Sequence, residues 1–444
     1  MDPERVAAEV RESNYVTWRR QGGWAPLVVT RAEDSTFWTA DGRAILDFSS
    51  QLVATNLGHS NRAVQEAIAR QARELPYAAP GFATPARAEL SVALGEILPV
   101  GVDRLFFSTS GTEANEAALK IARVASGRTK VVARYRSYHG STAASISVTG
   151  DLRRRASEPH QKVPGTVFAP DCYCYRCPFG LTYPSCGVAC AEYVDYQLEH
   201  EGDVAAMIVE PVVGTNGVLV PVPEYLPRIR AITKAHDVLL IADEVMTAWG
   251  RTGRWFGIDH WGVVPDILTT AKGVTGAYVP LGVTATTAAL QDAFRDRYFP
   301  HGHTYEAHPL TLAPAVAAIG EYKRLGLLEK SAKDGEYLLE RLRELATRHP
   351  SVGDVRGLGL FAAVELVRNR TTKAPFNTPD DKLAGRPLMA EQVAQAMLAD
   401  GVYVMAWVSH LVVAPPLIIT RPEIDRGVEA LDKALAVSDR AVDV

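Results

Sequence analysis

Long apolar segments and blocks of positive charge are absent from this sequence of 444 residues. Its 47 Lys and Arg residues are nearly balanced by 51 Asp and Glu residues, for a formal net charge of −4, and both signs are spread along the chain. No stretch resembles the basic surface with which proteins bind DNA or RNA, so we expect no nucleic-acid partner. No apolar run approaches the roughly 20 residues that cross a bilayer, and the chain opens with charged residues rather than an apolar secretory segment. We therefore expect a cytoplasmic protein with no membrane contact.

Cysteine is absent from all but one short segment, a loop at 171–191. The five cysteines are Cys172, Cys174, Cys177, Cys186 and Cys190. The last four have the spacing Cys-x2-Cys, eight residues, Cys-x3-Cys, which suits a closed, structural zinc site with four thiolate ligands. Disulfides, which are unusual in the cytosol of a mesophile, and reduced packing cysteines are the alternatives. All three states stay open at the level of sequence, and no catalytic metal is expected.

Short β-branched or apolar runs alternate with helical patterns through the centre of the chain. The runs lie at 105–107, 131–133, 206–209, 238–242, 267–270 and 281–284. Helical patterns at 113–124 and 225–235 separate some of them. Strands that alternate with helices form parallel βαβ units, in which helices cover both faces of one sheet. The sequence therefore predicts an α/β fold with a mostly parallel sheet.

We divide the chain into three parts on the basis of these patterns. Residues 1–60 are an N-terminal arm and a small hairpin, marked by the turn signal Asp41-Gly42, that join the smaller domain. Residues 61–325 are the large sheet-containing domain, and residues 326–444 are a smaller α+β domain. The last part contains predicted helices at 331–347 and 422–437, β-rich segments at 359–366 and 403–406, and a polar surface loop at 369–387.

An acid and a lysine follow two of the predicted strands: Asp243 comes directly after the run 238–242, and Lys272 comes shortly after 267–270. Ligands of a doubly wound sheet bind outside the carboxyl ends of its strands, so both side chains are expected at one edge. Pyridoxal phosphate needs such a pair, a lysine amine for its Schiff base and an acid that keeps its pyridine nitrogen protonated. The lysine, with a pKa lowered by burial and neighbouring charge, would also move a proton between two carbon atoms. Taken alone, however, Lys272 is better explained as a surface lysine.

Two further segments suit the same cofactor. Ser110-Gly111-Thr112 joins a strand to a helix, where backbone N–H groups and the helix dipole favour a phosphate, although an ordinary helix cap explains the segment equally well. Tyr138, after the run 131–133, offers an aromatic face on which a pyridine ring could stack, although a core tyrosine is the more usual role. Neither segment decides the function alone.

Together these residues resemble a family pattern. The matching motifs are Ser110-Gly111-Thr112-Glu113-Ala114-Asn115-Glu116-Ala117, Tyr138-His139-Gly140, Asp243-Glu244-Val245 followed by Gly250-Arg251-Thr252-Gly253, Lys272-Gly273, and Gly302-His303-Thr304-Tyr305. In this order and spacing they resemble the class III (omega) aminotransferases, which are pyridoxal-phosphate-dependent enzymes of fold type I. The resemblance extends from about residue 15 to the C-terminus. It implies that Lys272 is the Schiff-base lysine and Asp243 the acid at the pyridine nitrogen.

The resemblance also implies further cofactor contacts and an oligomer. The implied cofactor-binding residues are Ser110, Gly111, Thr112, Tyr138, His139, Glu210, Asp243, Val245, Lys272 and Thr304. Glu210, in an acidic turn with Pro211, is equally explained by a solvated acid at a strand end. Thr304 would bind the phosphate of the partner subunit, so we expect a homodimer, or a tetramer, with shared active sites.

Residues around the substrate distinguish branches of the family. Arg421 resembles a mobile arginine that binds the carboxylate of a keto acid, and the alternative is a surface arginine paired with Asp425. Ornithine, acetylornithine and aminobutyrate enzymes usually have Glu at the position of Thr215. Many of them have Gln at the position of Met246. Both departures resemble the omega-amino acid:pyruvate and taurine-type aminotransferases.

The resemblance therefore predicts a transaminase with a ping-pong mechanism. Its expected donor is an omega-amino compound such as taurine, β-alanine or a similar amine, and its expected acceptor is pyruvate or 2-oxoglutarate. A 4-aminobutyrate aminotransferase, an aminomutase or a decarboxylating transaminase is the alternative, because all of these share Lys272 and Asp243. Trp24 and Val53, near the N-terminus, join Arg421 as predicted substrate contacts.

Overall fold

Most of the chain is folded into strands and helices in the computed structural model, which describes residues 2–160 and 162–443. Met1 and Val444, the outer ends of the first and last predicted parts, lie outside the described residues, as does Gln161. The strands are β1 (Val29–Glu33), β2 (Thr36–Thr39), β3 (Ala44–Asp47), β4 (Val102–Ser108), β5 (Lys130–Arg134), β6 (Thr166–Ala169), β7 (Val204–Val209), β8 (Leu239–Asp243), β9 (Ile267–Thr270), β10 (Gly282–Thr287), β11 (Val352–Gly357), β12 (Ala362–Asn369), β13 (Ala374–Pro375), β14 (Val402–Tyr403), β15 (Met405–Trp407) and β16 (His410–Val413). The helices are α1 (Pro3–Ser13), α2 (Ser50–Val53), α3 (Arg62–Glu74), α4 (Pro85–Gly95), α5 (Gly111–Ser126), α6 (Ala143–Ser147), α7 (Leu152–Ser157), α8 (Ala189–Glu201), α9 (Tyr225–Ala235), α10 (Ala288–Asp292), α11 (Pro309–Arg324), α12 (Leu327–Arg348), α13 (Pro379–Leu383), α14 (Met389–Ala399) and α15 (Arg421–Asp439).

A seven-stranded sheet lies in the large part of the chain, in the order β4-β10-β9-β8-β7-β5-β6. The neighbours from β9 to β6 are parallel, whereas β10 runs antiparallel to both β4 and β9. All six residues of β7 are buried, as expected for a parallel strand covered on both faces. The predicted α/β fold with a mostly parallel sheet is confirmed, and each of the predicted runs overlaps a strand. Among the seven strands, the edge strand β6, three of whose four residues are only partly buried, has no counterpart among the predicted runs.

Helix α5 covers one face of this sheet. Its buried Ala114 and Ala118 are small side chains that let the helix approach closely, and Ile121 extends the buried surface. The helix packs with Ile208 of β7 and Ile241 of β8 in one apolar cluster. The N-terminus of α5 is thereby fixed at the carboxyl edge of the sheet.

The C-terminal part has its own antiparallel sheet, in the order β11-β12-β16-β15, with β13 beside β12. The hairpin predicted at Asp41-Gly42 joins β2 to β3. Strand β3 then pairs in parallel with β14, so the N-terminal strands and a C-terminal strand form one four-stranded sheet. The domain boundaries near 60 and 325 stay predictions.

The predicted surface loop at 369–387 is wrong in part, because this segment contains β13 and α13. Thr378 caps α13: its hydroxyl accepts a hydrogen bond from the Asp381 N–H (3.4 Å), and the Asp381 carboxylate accepts one from the Thr378 N–H (2.6 Å). Pro379 occupies the first helical position, where a missing N–H does no harm. Residues that are typical of a loop here begin a helix instead.

One buried arginine connects the three parts of the chain. Arg251 donates hydrogen bonds to the carbonyl oxygens of Leu360 (2.9 Å) and Pro415 (2.6 Å) in the C-terminal part. It also donates to Ser50 Oγ (3.0 Å) and Asn56 Oδ1 (2.7 Å) near the N-terminus. Burial lowers the pKa of this guanidinium to about 10. A buried cation needs such partners, so Arg251 fixes these segments relative to one another.

Candidate active site

A cavity of about 510 Å³ lies at the carboxyl ends of the strands. Its lining residues include Ser110 after β4, Tyr138 after β5, Glu210 after β7, Asp243 at the end of β8 and Lys272 after β9. Doubly wound sheets bind ligands at this edge, and the volume suits a small molecule. The lysine and the acid singled out in the sequence therefore meet in one cavity.

Lys272 lies in a short 3₁₀ turn with a left-handed backbone (φ 50°). Burial lowers the pKa of its amine to about 8, while the carboxylates of Asp243 and Glu210 act in the opposite direction. A Cβ at the next residue, Gly273, would lie 2.7 Å from Trp249 Cβ, so only glycine fits there. The turn thus holds an amine that is partly neutral near pH 8, as a general base must be.

Asp243 is almost fully buried and held from three directions. Its Oδ2 accepts a hydrogen bond from Asn115 Nδ2 (2.7 Å) and lies 2.7 Å from His139 Nδ1, while Oδ1 accepts one from the Val245 N–H (3.0 Å). These contacts fix the orientation of a carboxylate that lines the cavity. An acid held in this way suits the nitrogen of a pyridine ring.

Asn115 and Thr269 support this acid, and sequence analysis assigns a role to neither. The Asn115 side chain accepts a hydrogen bond from Thr269 Oγ1 (2.6 Å) and donates to the His139 carbonyl (2.7 Å) as well as to Asp243. The positions of the two residues in the sequence could have indicated this supporting role. Asn115 lies one helical turn into α5, and Thr269 pairs with Asp243 across β8 and β9.

The N-terminus of α5 forms an anion site in the same cavity. Ser110 caps the helix with its side chain, and Gly111 and Thr112 belong to the first turn, whose N–H groups have no partner within the helix. A Cβ at Gly111 would lie 2.8 Å from Val245 Cγ2, and one at Gly140 would lie 2.9 Å from Thr112 Oγ1. A side chain therefore fits at neither Gly111 nor Gly140, which leaves only backbone atoms next to Thr112 at these two positions. A phosphate fits this helix end.

Glu210 holds the segment that carries the aromatic ring. Its Oε1 accepts a hydrogen bond from the Tyr138 N–H (3.0 Å), and its Oε2 accepts one from the Gly214 N–H (2.8 Å). Burial raises the pKa of this carboxyl. Glu210 is thus a buried positioning residue in the cavity wall rather than a solvated acid at a strand end.

Thr304 does not line this cavity. Its side chain is exposed, and its carbonyl oxygen accepts a hydrogen bond from Tyr77 Oη (3.1 Å). Its predicted contact with the phosphate of a partner subunit is not tested by a single chain.

The three predicted substrate contacts also lie away from the cavity lining. Arg421 is 56% exposed and pairs with Asp334 (3.0 Å) rather than with the expected alternative, Asp425. Val53 is 2% exposed and belongs to an apolar cluster that packs against Met246 of the cavity lining, and its contact with the substrate stays a prediction. Trp24 is half-buried outside the lining, and a different tryptophan, Trp18, reaches the cavity wall.

Three residues beside the cavity are missing from the sequence-based set: Arg153, Trp18 and Trp407. They surround Tyr138 or contact its neighbours. Arg153 begins the run Arg153-Arg154-Arg155, which is typical of a solvated helix face, so its burial gives no signal in the sequence.

Thr215 and Met246, the two residues that differ from the ornithine-type pattern, are in contact. Thr215 Oγ1 lies 3.6 Å from Met246 Sδ, and Met246 lines the cavity. Glu and Gln at these positions would give a charged and polar wall. The pair found here instead gives a wall with a thioether and no carboxylate to hold an arginine.

The five cysteines are free thiols, without a disulfide. A hydrogen bond with Cys190, followed by burial, raises the pKa of the Cys172 thiol. Within residues 2–160 and 162–443, no group of three or more Cys, His, Asp or Glu side chains is arranged to hold a metal ion. The structure therefore has unpaired thiols, of which Cys172 is buried and Cys174 is exposed.

Comparison with known proteins gives a consistent result. The profile of the family described as aminotransferase class III matches residues 18–435. A putrescine–pyruvate aminotransferase of Pseudomonas aeruginosa is 35% identical over 427 residues, which cover 94% of this chain and 91% of that protein. A leucine/methionine racemase of Thermococcus litoralis is 34% identical over 421 residues, covering 93% and 91%. The solved structure of a taurine:2-oxoglutarate aminotransferase from Bifidobacterium kashiwanohense, in complex with pyridoxal phosphate and glutamate, superposes with a TM-score of 0.93 at 33% identity, covering 100% and 99%.

Proposed function

Because the chain belongs to the class III aminotransferase family, and is thus a pyridoxal-phosphate-dependent transaminase of fold type I, we propose that it moves an amino group from an omega-amino compound to pyruvate or 2-oxoglutarate. The observation that carries the proposal is the cavity in which Lys272, Asp243 and the N-terminus of α5 meet. Taurine, β-alanine or a similar amine is the donor. Relatives that act on taurine with 2-oxoglutarate and on putrescine with pyruvate support this range.

Each group in the cavity has a separate task. When bound, pyridoxal phosphate supplies an electron-withdrawing ring that stabilises negative charge on the substrate carbon. Lys272 Nζ would hold the cofactor, and its amine would serve as the base that moves a proton at the substrate carbon. Asp243 would keep a proton on the pyridine nitrogen, and the backbone of Gly111 and Thr112 would bind the phosphate.

Arg421 is proposed to bind the carboxylate of the keto acid after a change of position. It now pairs with Asp334 on the surface, and its guanidinium lies 4.8 Å from the Tyr337 ring centroid. Half-exposed ion pairs of this kind contribute only about 0–1 kcal/mol, so exchanging this partner for a keto acid costs little. The cavity wall at Thr215 and Met246 offers no carboxylate that would compete for the arginine.

We also propose a homodimer, or a tetramer, in which Thr304 completes the phosphate site of the partner. Tyr77 and Tyr305 are exposed beside Thr304, with ring centroids 6.5 Å apart. Exposed aromatic residues are typical of protein interfaces. Sedimentation should give at least twice the monomer mass, and Thr304→Ala should weaken cofactor binding without dissociating the oligomer. A monomer with full cofactor affinity would contradict this.

No helix in the described part of the chain is long and apolar enough to cross a bilayer. A cytoplasmic location is part of the proposal.

A donor panel tests the proposed reaction. Taurine, β-alanine, putrescine and ornithine should be assayed with pyruvate and 2-oxoglutarate as separate acceptors. We expect turnover with taurine or β-alanine and little with ornithine. Turnover with α-amino donors alone would contradict the omega-amine assignment.

Racemisation is the second candidate, because a racemase is as similar to this chain as the transaminases are. An aminomutase or a decarboxylating transaminase would use the same Lys272 and Asp243. Mixing the holoenzyme with an amine and no keto acid separates these reactions. A transaminase stops after one equivalent per site, whereas a racemase or mutase continues.

A further inference from the structure

A buried arginine beside the cavity has no part in the roles assigned so far. Arg153, in α7, is 4% exposed. Its guanidinium carbon lies 3.6 Å from the ring centroid of Tyr138, 4.4 Å from that of Trp407 and 5.6 Å from that of Trp18. We call these four residues the guanidinium box. Three aromatic rings hold the cation in one position.

The box leaves one donor group free. Arg153 Nε donates to both oxygens of Asp151 (2.9 and 3.2 Å), and Nη2 donates to Asp151 Oδ2. Asn216 Nδ2 also donates to Asp151 Oδ2 (3.1 Å), and its Oδ1 accepts a hydrogen bond from Trp407 Nε1 (3.0 Å). Both carboxylate oxygens are therefore occupied. Among the residues that the structure describes, none accepts a hydrogen bond from Arg153 Nη1.

The box adjoins the reacting end of the cavity. Tyr138 lines the cavity together with Lys272 and carries the Arg153 guanidinium on its ring. The positive charge of Arg153 is also one of the causes that lower the pKa of Lys272, so the two groups interact. A short donor whose amine reaches Lys272 would have Tyr138, and with it the box, within the same cavity wall.

We propose that Arg153 Nη1 binds the anionic end of the amine donor, a sulfonate or a carboxylate, and thereby selects omega-amino acids over diamines. The inference rests on the proposed function. Guanidinium N–H groups make strong, charge-assisted hydrogen bonds to such oxygens. A diamine would instead bring a second ammonium next to a buried cation, and Asp151 has no free oxygen with which to accept it.

The test compares donors in the first half-reaction, without a keto acid. Replacing Arg153 alone would leave the buried Asp151 unpaired, so the informative variant is the double substitution Asp151→Asn with Arg153→Gln. Arg155→Gln is the matched control, because Arg155 lies on the same helix but is exposed and pairs with Asp380. The donors are taurine, β-alanine, propylamine and putrescine. Binding of ethanesulfonate, which has the anion without the amine, is measured by calorimetry on the holoenzyme.

We expect the wild type to prefer taurine or β-alanine, and their ranking identifies sulfonate or carboxylate as the better ligand. In the double variant, the second-order rate constant of the half-reaction should fall about 10- to 100-fold for both donors, the effect of losing a hydrogen bond to a charged group, and ethanesulfonate should bind correspondingly more weakly. The fall in the rate constant for propylamine should be at least about tenfold smaller than that for taurine or β-alanine. Equal losses with all four amines, or unchanged ethanesulfonate binding, would overturn the inference.

Failure of the proposed function has a different signature. If no amine converts the cofactor of the wild-type enzyme, the proposed function is wrong. If the wild type converts propylamine and putrescine at least as fast as taurine and β-alanine, the transaminase assignment stands and only the role of Arg153 is refuted.

Discussion

The cofactor side of the cavity and its substrate side are built from different kinds of segment. Lys272 and Asp243 are attached to neighbouring strands of one buried sheet. Arg153, Trp18 and Trp407 come from a short helix, the N-terminal arm and a C-terminal strand. The sheet allows little variation on the first side, whereas the second can change with each contributing segment. The putrescine–pyruvate and taurine:2-oxoglutarate aminotransferases are each about a third identical to this chain, and the substrate side is where we expect such enzymes to differ.

The largest effect is expected on the cofactor side. Lys272→Ala should abolish turnover and remove the absorbance of the lysine-bound cofactor, because no other lysine among the described residues lines the cavity. Lys323→Ala is the control, because Lys323 forms an exposed ion pair with Glu96. It should change neither the turnover nor the cofactor absorbance. Turnover retained by Lys272→Ala would falsify the cofactor assignment.

Asp243→Asn should lower kcat by about 100-fold or more, because an amide cannot keep the pyridine nitrogen protonated in the buried site. The substitution is nearly isosteric, so its hydrogen-bonded neighbours Asn115 and His139 should keep the cofactor bound. Steady-state kinetics and cofactor titration separate the two effects. Asp195→Asn, at an exposed carboxylate, serves as the control. A variant with more than half of the wild-type kcat would argue against this role for the acid.

The pH dependence of cofactor uptake tests the burial of the lysine. Only the neutral amine reacts, and the pKa of Lys272 is lowered from 10.5 to about 8. The rate at which apoenzyme binds pyridoxal phosphate covalently should therefore rise about tenfold per pH unit below pH 8 and level off above it. At pH 6 it should be about 100-fold below the plateau. A rate that keeps rising beyond pH 9.5 would show an ordinary, solvated lysine.

The smallest effect is expected at Arg421. Arg421→Ala should raise the KM for keto acids by about tenfold and that for amines by about twofold or less, because only the keto acid would draw the arginine from Asp334. The free energy of unfolding should change by less than about 1 kcal/mol, as for other half-exposed ion pairs. Equal changes for both substrates would count against the proposed swing.

The cofactor side of the cavity can be predicted from the sequence more fully than the substrate side. Asp243 and Lys272 are predictable because each follows an apolar strand, and the ends of parallel strands meet. Arg153 is not, because its place depends on Trp18 and Trp407, which are far from it in sequence. The burial of Val53 likewise depends on its neighbours in the fold rather than on its neighbours in the chain.

The central claim is tested most directly by a single-turnover experiment with holoenzyme, taurine and no keto acid. The account predicts conversion of one equivalent of amine per Lys272, with the cofactor left in its amine form. Addition of pyruvate or 2-oxoglutarate should then restore the starting absorbance and release one equivalent of the corresponding amino acid. Continued conversion without a keto acid, or no conversion with taurine, β-alanine or any other amine, would contradict it.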